Sequence, residues 1–342
     1  MRARTRSFVI AGVAASVVGA VTFGILRDPV AAAPPPPDLP GSENTSLVSA
    51  GVGGSAPNGP SWGAAMSSNA RFVTFLSVAT NLVDDDGNGL ADPDTNGHAD
   101  VFLLDRATHK IRRINTTASG AETAGLDSTG YGDGDAGALG DVIVDPLTGS
   151  DAIVALAVPG DLGATEGPVD PAKKNVYLKY TSTGEVHLLS VGVGGAAPDG
   201  DSVGPTLTGN VFYDNTGTPF AQFSVGFDSQ ATNIDVQNTG GSPAGGCYVN
   251  YVVRGLPGQG LPQRIDVNNN GITAPPWTGQ CHVADTTPNG VVFNSTAADG
   301  TAPNPGGGWK AYRRDPSTFP QPLVPLVTGT TGNDEAVGSA GS

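Results

Sequence analysis

The chain is poor in cysteine, in basic residues and in long hydrophobic runs. Two cysteines among 342 residues exclude a thiolate metal centre and a CxxC redox motif. Lys and Arg total 17 against 32 Asp and Glu, for a net charge of -15. We therefore expect no nucleic-acid partner, because phosphate binding needs basic residues. The acidity favours solubility and divalent cations instead.

Glycine and proline are abundant, at 50 and 28 residues. The apolar residues, 38% of the chain, come in short runs rich in Val, Ile, Phe and Leu, and Gly, Asn, Asp or Pro separates these runs. No long helical period follows residue 33. This pattern predicts an all-β fold built from many short strands.

The N-terminus has the layout of an export signal. Arg2, Arg4 and Arg6 precede an apolar stretch from Phe8 to Leu26, and three alanines and four prolines follow it. We expect cleavage near Ala32 or Ala33. The stretch is also close to the roughly 20 residues that span a bilayer, so an uncleaved anchor is the alternative and the only membrane contact expected. Residues 1–33 are then the signal or anchor, 34–45 a Pro-rich linker and 46–342 the folded domain, in a secreted or cell-envelope protein.

The two cysteines, Cys247 and Cys281, form an even pair in a chain that is predicted to be exported. Disulfides persist in oxidising compartments, so we predict a bond that closes a local loop, in preference to two free thiols.

An internal repeat sets the architecture. Residues 49–63, SAGVGGSAPNGPSWG, match residues 190–204, SVGVGGAAPDGDSVG, at ten of fifteen positions. Repeat units of this kind bury their faces against their neighbours. The units fall near 46–113, 114–187, 188–264 and 265–325, with a partial unit at 326–342. Each full unit contains about four strand-forming segments.

Four strands per unit, repeated four times, predict a β-propeller of about four blades with long loops. The segments Ala79 to Val83 and Asn96 to Arg106 resemble the ATNLV and NGxxDVFxxDR segments of TolB-like, WD-repeat-like bacterial propellers. The resemblance is close in the first unit and loose in the others. It implies a scaffold that binds proteins or envelope components, with no catalytic residues. Residues 326–342 either close the ring or begin a unit that is incomplete here.

One segment of the first unit has the spacing of a calcium-binding loop. Residues 84–100 read DDDGNGLADPDTNGHAD, in which a D-x-D-x-N-G-x-x-D pattern occurs twice, eight residues apart. Alternating oxygen ligands with a turn-forming glycine are what Ca²⁺ requires. The tandem period resembles thrombospondin type 3 calcium repeats and implies a structural Ca²⁺ site. The alternative is a solvated acidic loop. The candidate ligands are Asp84, Asp86, Asn88, Asp92, Asp94, Asn96 and Asp100.

No catalytic motif stands apart from the repeat. A G-x-S-x-G pattern, which marks the nucleophile of some hydrolases, occurs both at 59–63 and at 200–204. A nucleophile is needed once and a blade turn is needed in every blade, so we interpret both serines as structural. The four histidines lack metal-ligand spacing. The Asp266, Asn268, Asn270 group and the Asp133, Asp135, Asp141 group are weaker echoes of a metal pattern.

Two tryptophans, Trp62 and Trp277, follow Ser61 and Pro276 in matching units. They are candidate ligand contacts, although packing between blades is the more common role of such residues. Taken together, the sequence predicts an exported, non-enzymatic propeller that binds a protein or envelope component. The alternative is a secreted propeller that binds or acts on polysaccharide.

Overall fold

A computed structural model describes residues 46–126, 139–234, 246–254, 261–266, 281–287, 290–295, 309–314 and 324–325. The predicted signal, the linker and the partial unit at 326–342 lie outside these residues. In the described part, no helix is long and apolar enough to cross a membrane. Its only helical elements are two 3₁₀ turns, Val52–Gly54 and Val193–Gly195.

Within the described residues, sixteen strands form four antiparallel sheets of four strands each, and inside each sheet the strands are adjacent in chain order. This architecture confirms the prediction of an all-β, four-bladed propeller-like fold. We number the sheets blades 1 to 4 in chain order. Blade 1 contains β1 (Ser61–Met66), β2 (Phe72–Ser77), β3 (Asp100–Asp105) and β4 (Lys110–Arg113). Blade 2 contains β5 (Leu139–Val144), β6 (Ala152–Val158), β7 (Asn175–Tyr180) and β8 (Val186–Leu188). Blade 3 contains β9 (Ser202–Tyr213), β10 (Pro219–Ser229), β11 (Gly246–Val253) and β12 (Gln263–Arg264). Blade 4 contains β13 (Cys281–Thr287), β14 (Gly290–Ser295), β15 (Lys310–Arg314) and β16 (Val324–Pro325).

The second and third strands of blades 1 and 2 are buried along their whole length. Side chains alternate across a strand, so each buried strand supplies two different cores. In β6, Val154 and Leu156 pack in the cluster between blades 1 and 2, whereas Ile153 and Ala155 pack in the cluster between blades 2 and 3. A third cluster joins blades 3 and 4. The continuous apolar runs in the sequence are therefore strands covered on both faces.

The first strand of every blade carries a bulge at the same level. The register against the second strand shifts after Trp62 in β1, Leu139 in β5, Val203 in β9 and Val283 in β13. Gly63 and Gly204 occupy equivalent bulge positions with φ of +63°, a conformation that glycine adopts without strain. All four bulges line one central cavity of about 360 Å³.

Polar side chains also cross the joints between blades. Lys179 of β7 is buried and donates hydrogen bonds to the carbonyl oxygens of Ile114 (2.9 Å) and Thr116 (2.6 Å), just after blade 1. Burial lowers the pKa of Lys179 to about 8. Asn250 of β11 donates to the carbonyl oxygen of Leu189 at 3.0 Å, which links blade 3 to blade 2.

The predicted disulfide between Cys247 and Cys281 is confirmed. Its position differs from the local loop that we expected, because Cys247 lies in β11 of blade 3 and Cys281 begins β13 of blade 4. The bond therefore links two neighbouring blades. The backbone N–H of Val283 adds a hydrogen bond to Asp228 of β10 at 2.7 Å across the same joint.

Replacing both cysteines with alanine should lower the free energy of unfolding by roughly 3 to 4 kcal/mol, because the bond closes a loop with a sequence separation of 34 residues. Guanidinium denaturation without reductant measures this loss. Reductant should destabilise the native chain and leave the double variant unchanged. Equal stability of the two chains would mean that the bond does not hold blade 4.

Candidate functional site

The two ends of the blades differ in loop length. Links between first and second strands, and between third and fourth strands, contain two to nine residues, as in 67–71 and 106–109. Links between second and third strands, and those between blades, contain 13 to 25 residues, as in 189–201 and 114–138. Antiparallel pairing places the strand ends that the long links join at one end of the blades, which we call the loop face. Long loops on a rigid scaffold are where binding sites usually occur.

The predicted calcium loop lies on the loop face, between β2 and β3. In its first half, Asp84 accepts hydrogen bonds from the backbone N–H groups of Asn88 (3.0 Å) and Gly89 (2.9 Å). Asp86 also accepts from the N–H of Asn88 at 3.0 Å, and Asp92 accepts from the N–H of Asp85 at 2.7 Å. These carboxylates and Asn88 thus shape a tight, exposed turn.

The second half of the loop brings three carboxylates together. Oxygen atoms of Asp94, Asp100 and Glu122 all lie within 4.8 Å of one another, and no other group of three metal-ligand side chains converges in the described residues. Two of the three are ligands predicted from the sequence. Glu122, from the link between blades 1 and 2, was not predicted, because its distance along the chain from residue 100 gives no spacing signal.

One arginine shares this cluster. Arg113, the last residue of β4, contacts Asp100 at 2.8 Å and also forms an ion pair with Glu122. Asn115 donates to Asp100 at 2.7 Å and Asn96 donates to it at 3.0 Å. Burial raises the pKa of Asp100, although its contacts with Asn115 and Arg113 oppose the shift. Burial favours a higher pKa for Glu122, but the hydrogen bonds from Thr95 together outweigh this effect, and the Glu122 pKa is lowered.

This donor set fits a hard divalent cation. Three ionised carboxylates and one arginine carry a net charge of two negative units, which is the charge that one Ca²⁺ balances. Ca²⁺ takes six to eight oxygen ligands from carboxylates, carbonyls and water. The remaining predicted ligands, Asp84, Asp86, Asn88 and Asp92, belong to the neighbouring turn. Asn96 instead orients the cluster, because its side chain amide donates to Asp100 and to the carbonyl oxygen of Thr123.

The repeated glycine segment forms the same loop in blades 1 and 3. Asn81 accepts a hydrogen bond from the N–H of Asn58 (3.0 Å) and donates to the carbonyl oxygen of Ala56 (2.9 Å). Asn233 makes the equivalent bonds to Asp199 and to Ala197. Each asparagine fixes an exposed Gly-Gly turn on the loop face, which explains why the two sequence segments recur together.

A buried histidine anchors the long link of blade 2. His187 of β8 contacts Glu166 at 2.6 Å through Nδ1 and Glu185 at 3.1 Å through Nε2, and Glu166 also accepts the N–H of Leu188 at 3.1 Å. Burial opposes ionisation of His187, but Glu166 outweighs it and raises the His187 pKa. Burial favours a higher pKa for Glu166, but the contact with His187 outweighs this effect, and the Glu166 pKa is lowered.

The G-x-S-x-G serines tie the first strand to the second. Ser61 donates to the hydroxyl of Ser77 at 2.9 Å, and the hydroxyls of Ser202 and Ser229 lie 2.8 Å apart. Ser202 is fully buried. The two motifs therefore make the same contact in blades 1 and 3, as a structural turn requires.

Apart from His98, which lies in the predicted calcium loop between Asn96 and Asp100, the other described candidate residues lie away from the carboxylate cluster. Trp62 is half-buried against the core between blades 1 and 2, and Trp277 lies outside the described residues. Asp266 forms a buried ion pair with Arg264 at 2.8 Å. His98 and His109 are exposed. Asp141, by contrast, lies at the bulge of β5 and lines the central cavity with His282 of β13. Asn268, Asn270, Asp133 and Asp135 are outside the described residues.

Comparison with known proteins identifies no family. No protein-family model matches the chain, and no curated protein matches its sequence. Among solved structures, a protein assigned as TolB from Agrobacterium tumefaciens is similar at 13% identity and a TM-score of 0.34, over 79% of this chain and 81% of that one. The fold assignment therefore rests on the sheets of this chain itself.

Replacing His187 with glutamine should destabilise the protein by roughly 1 to 3 kcal/mol, because Glu166 loses its charged partner. The loss should be greatest between about pH 4.5 and 6.5, where Glu166 is ionised in both states and histidine is protonated in both states. It should shrink as pH rises through the raised pKa of His187, and also as pH falls through the lowered pKa of Glu166. Urea denaturation at several pH values measures it, and a loss independent of pH would contradict the ion pair.

Proposed function

We propose that this chain is an exported, non-enzymatic β-propeller that binds a protein partner through its loop face and holds a structural Ca²⁺ in blade 1. The observation that carries the proposal is the asymmetry of the loops. The long links join strand ends at one end of the scaffold, and the short links join strand ends at the opposite end. Anchoring by Asn81, Asn233 and the Glu166–His187 pair pre-organises this face, which reduces the entropy cost of binding.

The charge of the loop face indicates the chemistry of the partner. Its described loops expose carboxylates, among them Asp85, Asp86, Asp161 and Asp199. A surface of this sign attracts basic segments of a partner and repels acidic ones. The partner is therefore a protein or envelope component with a basic surface.

The calcium site connects two loops of this face. Asp94 comes from the link within blade 1, Asp100 begins β3, and Glu122 comes from the link to blade 2. A cation held by all three would fix one loop against the other and would relieve the repulsion among the carboxylates. The role of this cation would be structural, because Arg113 and Asn115 already orient its carboxylate ligands.

Export is supported by the disulfide between blades, since such bonds form and persist in oxidising compartments. The basic and apolar layout of residues 1–33 agrees with this compartment. We therefore place the protein outside the cytoplasm, either secreted or at the cell envelope.

Calcium should raise the thermal stability of the chain. Extracellular calcium modules have dissociation constants of about 10⁻⁴ to 10⁻³ M, and a 100-fold excess over such a value adds about 2.7 kcal/mol of stability. Asp94→Asn and Glu122→Gln should each abolish this increase. Calorimetric melting with Ca²⁺ and with a chelator measures it.

The matched control for the calcium variants is Asp161→Asn, which removes one exposed carboxylate from another link of the same face. This variant should respond to Ca²⁺ like the native chain. If the native chain melts at the same temperature with Ca²⁺ and with chelator, the metal assignment is wrong. If Asp161→Asn also loses the response, Ca²⁺ acts through general charge rather than through the cluster.

Partner binding should map to the loop face. A photo-crosslinking amino acid at Leu90 or Ala196, both exposed on the loop face, should capture one specific protein from envelope extracts. The same probe at Thr108 or Asn215, on the short turns of the opposite end, should not. Equal capture at both ends would refute the proposed surface. Capture of polysaccharide instead of protein would establish the carbohydrate-binding alternative.

A further inference from the structure

The central cavity contains charged groups that the scaffold does not use. It lies where the bulges of β1, β5, β9 and β13 meet, and its volume of about 360 Å³ is within the range of small-molecule sites, about 300 to 1,000 Å³. Gly63, Ala64, Gly140, Gly204 and Ala284 leave the space open because they have small side chains or none.

Asp141 supplies a carboxylate to this cavity. One of its oxygens accepts the N–H of Leu207 at 3.0 Å, and the other has no hydrogen-bond partner in the part of the chain that the structure describes. Burial raises the pKa of Asp141, and the charge of Asp285 adds to this effect. The carboxylate is thus held in place with one oxygen available.

His282 supplies a second acceptor on the opposite side of β9. Its Nδ1 lies 2.6 Å from Asp228, whose other oxygen accepts the N–H of Val283. In the neutral imidazole, Asp228 keeps the proton on Nδ1 and leaves a lone pair on Nε2. The hydrogen bond with Asp228 also raises the pKa of His282, so Nε2 is an acceptor only at a pH above that raised pKa. More than half of the His282 side chain is exposed, and Nε2 has no partner among the described residues.

The lining of the cavity limits the ligand. None of its described lining residues is Lys or Arg, so an anion would find no counter-charge. A metal ion needs several converging ligands, and in the described residues these converge only at Asp94, Asp100 and Glu122. Leu76, Leu139 and Pro205 supply apolar parts of the wall, and Thr206 adds a hydroxyl group. A cation with N–H donors and a short alkyl chain satisfies both the polar and the apolar groups.

We propose that the central cavity binds the ammonium group of a primary amine, with Asp141 as its counter-ion and His282 as a second acceptor. Two sources share this chemistry: a small free amine and the lysine side chain of a bound protein. The site is separate from the calcium cluster and does not depend on the proposed function of the loop face.

Isothermal titration of the full chain with n-butylamine tests the proposal, and n-butanol serves as the matched ligand without charge. We expect saturable binding of butylamine and at least tenfold weaker binding of butanol. Asp141→Asn keeps the acceptor for Leu207 and should weaken butylamine binding at least tenfold. Asp161→Asn, which removes a carboxylate elsewhere, should leave the affinity unchanged.

Two further variants separate binding from folding. Ala64→Leu fills the cavity without touching the charged groups and should abolish binding, even if Asp141→Asn fails to fold. His282→Gln should weaken binding about threefold or more. In the native chain, butylamine should lower the pKa of His282 in a histidine NMR titration, because an ammonium ion repels the protonated ring. The charged group in contact with this ring is Asp228, and Asp141, whose pKa the charge of Asp285 raises further, lines the same cavity.

The proposal is wrong if butylamine produces no saturable heat at 50 mM, if butanol binds equally well, or if Asp141→Asn and Ala64→Leu bind like the native chain. Nα-acetyl-lysinamide, which mimics a lysine residue within a protein chain, distinguishes the two sources of the ammonium group. At least tenfold tighter binding than butylamine would identify a lysine of a partner protein, and equal or weaker binding would identify a small free amine.

Discussion

The fold depends on the need to cover both faces of each sheet. In blades 1 and 2, successive residues of the inner strands enter different cores, as Val154 and Ile153 do in β6. A single sheet with two apolar faces is unstable in water, so each blade needs a neighbour on either side. Neighbouring blades meet this need at three joints, and in blade 1 the other face is covered by its own link, where Phe75 and Phe102 pack with Leu82. The same packing brings the four first strands together around one cavity.

Two consequences of this packing set where chemistry can occur. The bulges of the first strands leave a cavity on the axis in place of a filled core, because glycine or alanine occupies at least one position of each bulge. Because short and long links alternate, the end opposite the loop face has only short turns, and the polar groups of the long links belong to the loop face. The carboxylate cluster and the central cavity are therefore independent sites on one scaffold.

Joints between blades are held by a few specific contacts in addition to apolar packing. Lys179 bonds the end of blade 1, Asn250 bonds the end of blade 2, and the disulfide and the Asp228 contacts bond blade 4 to blade 3. At the joint between blades 3 and 4, the disulfide adds a covalent bond to the apolar contacts.

The sequence by itself determined the strands, the four-unit repeat, the disulfide partners and the acidic loop, because these features depend on local periodicity, on turn residues and on the presence of only two cysteines. It also indicated that both G-x-S-x-G serines are structural, since the motif recurs with the repeat. Only the tertiary structure decided that Glu122 joins Asp94 and Asp100, that Cys247 and Cys281 bridge two blades, and that Asp141 and His282 share a cavity. These residues come from different links or blades, and contacts between distant segments leave no spacing pattern in a single sequence.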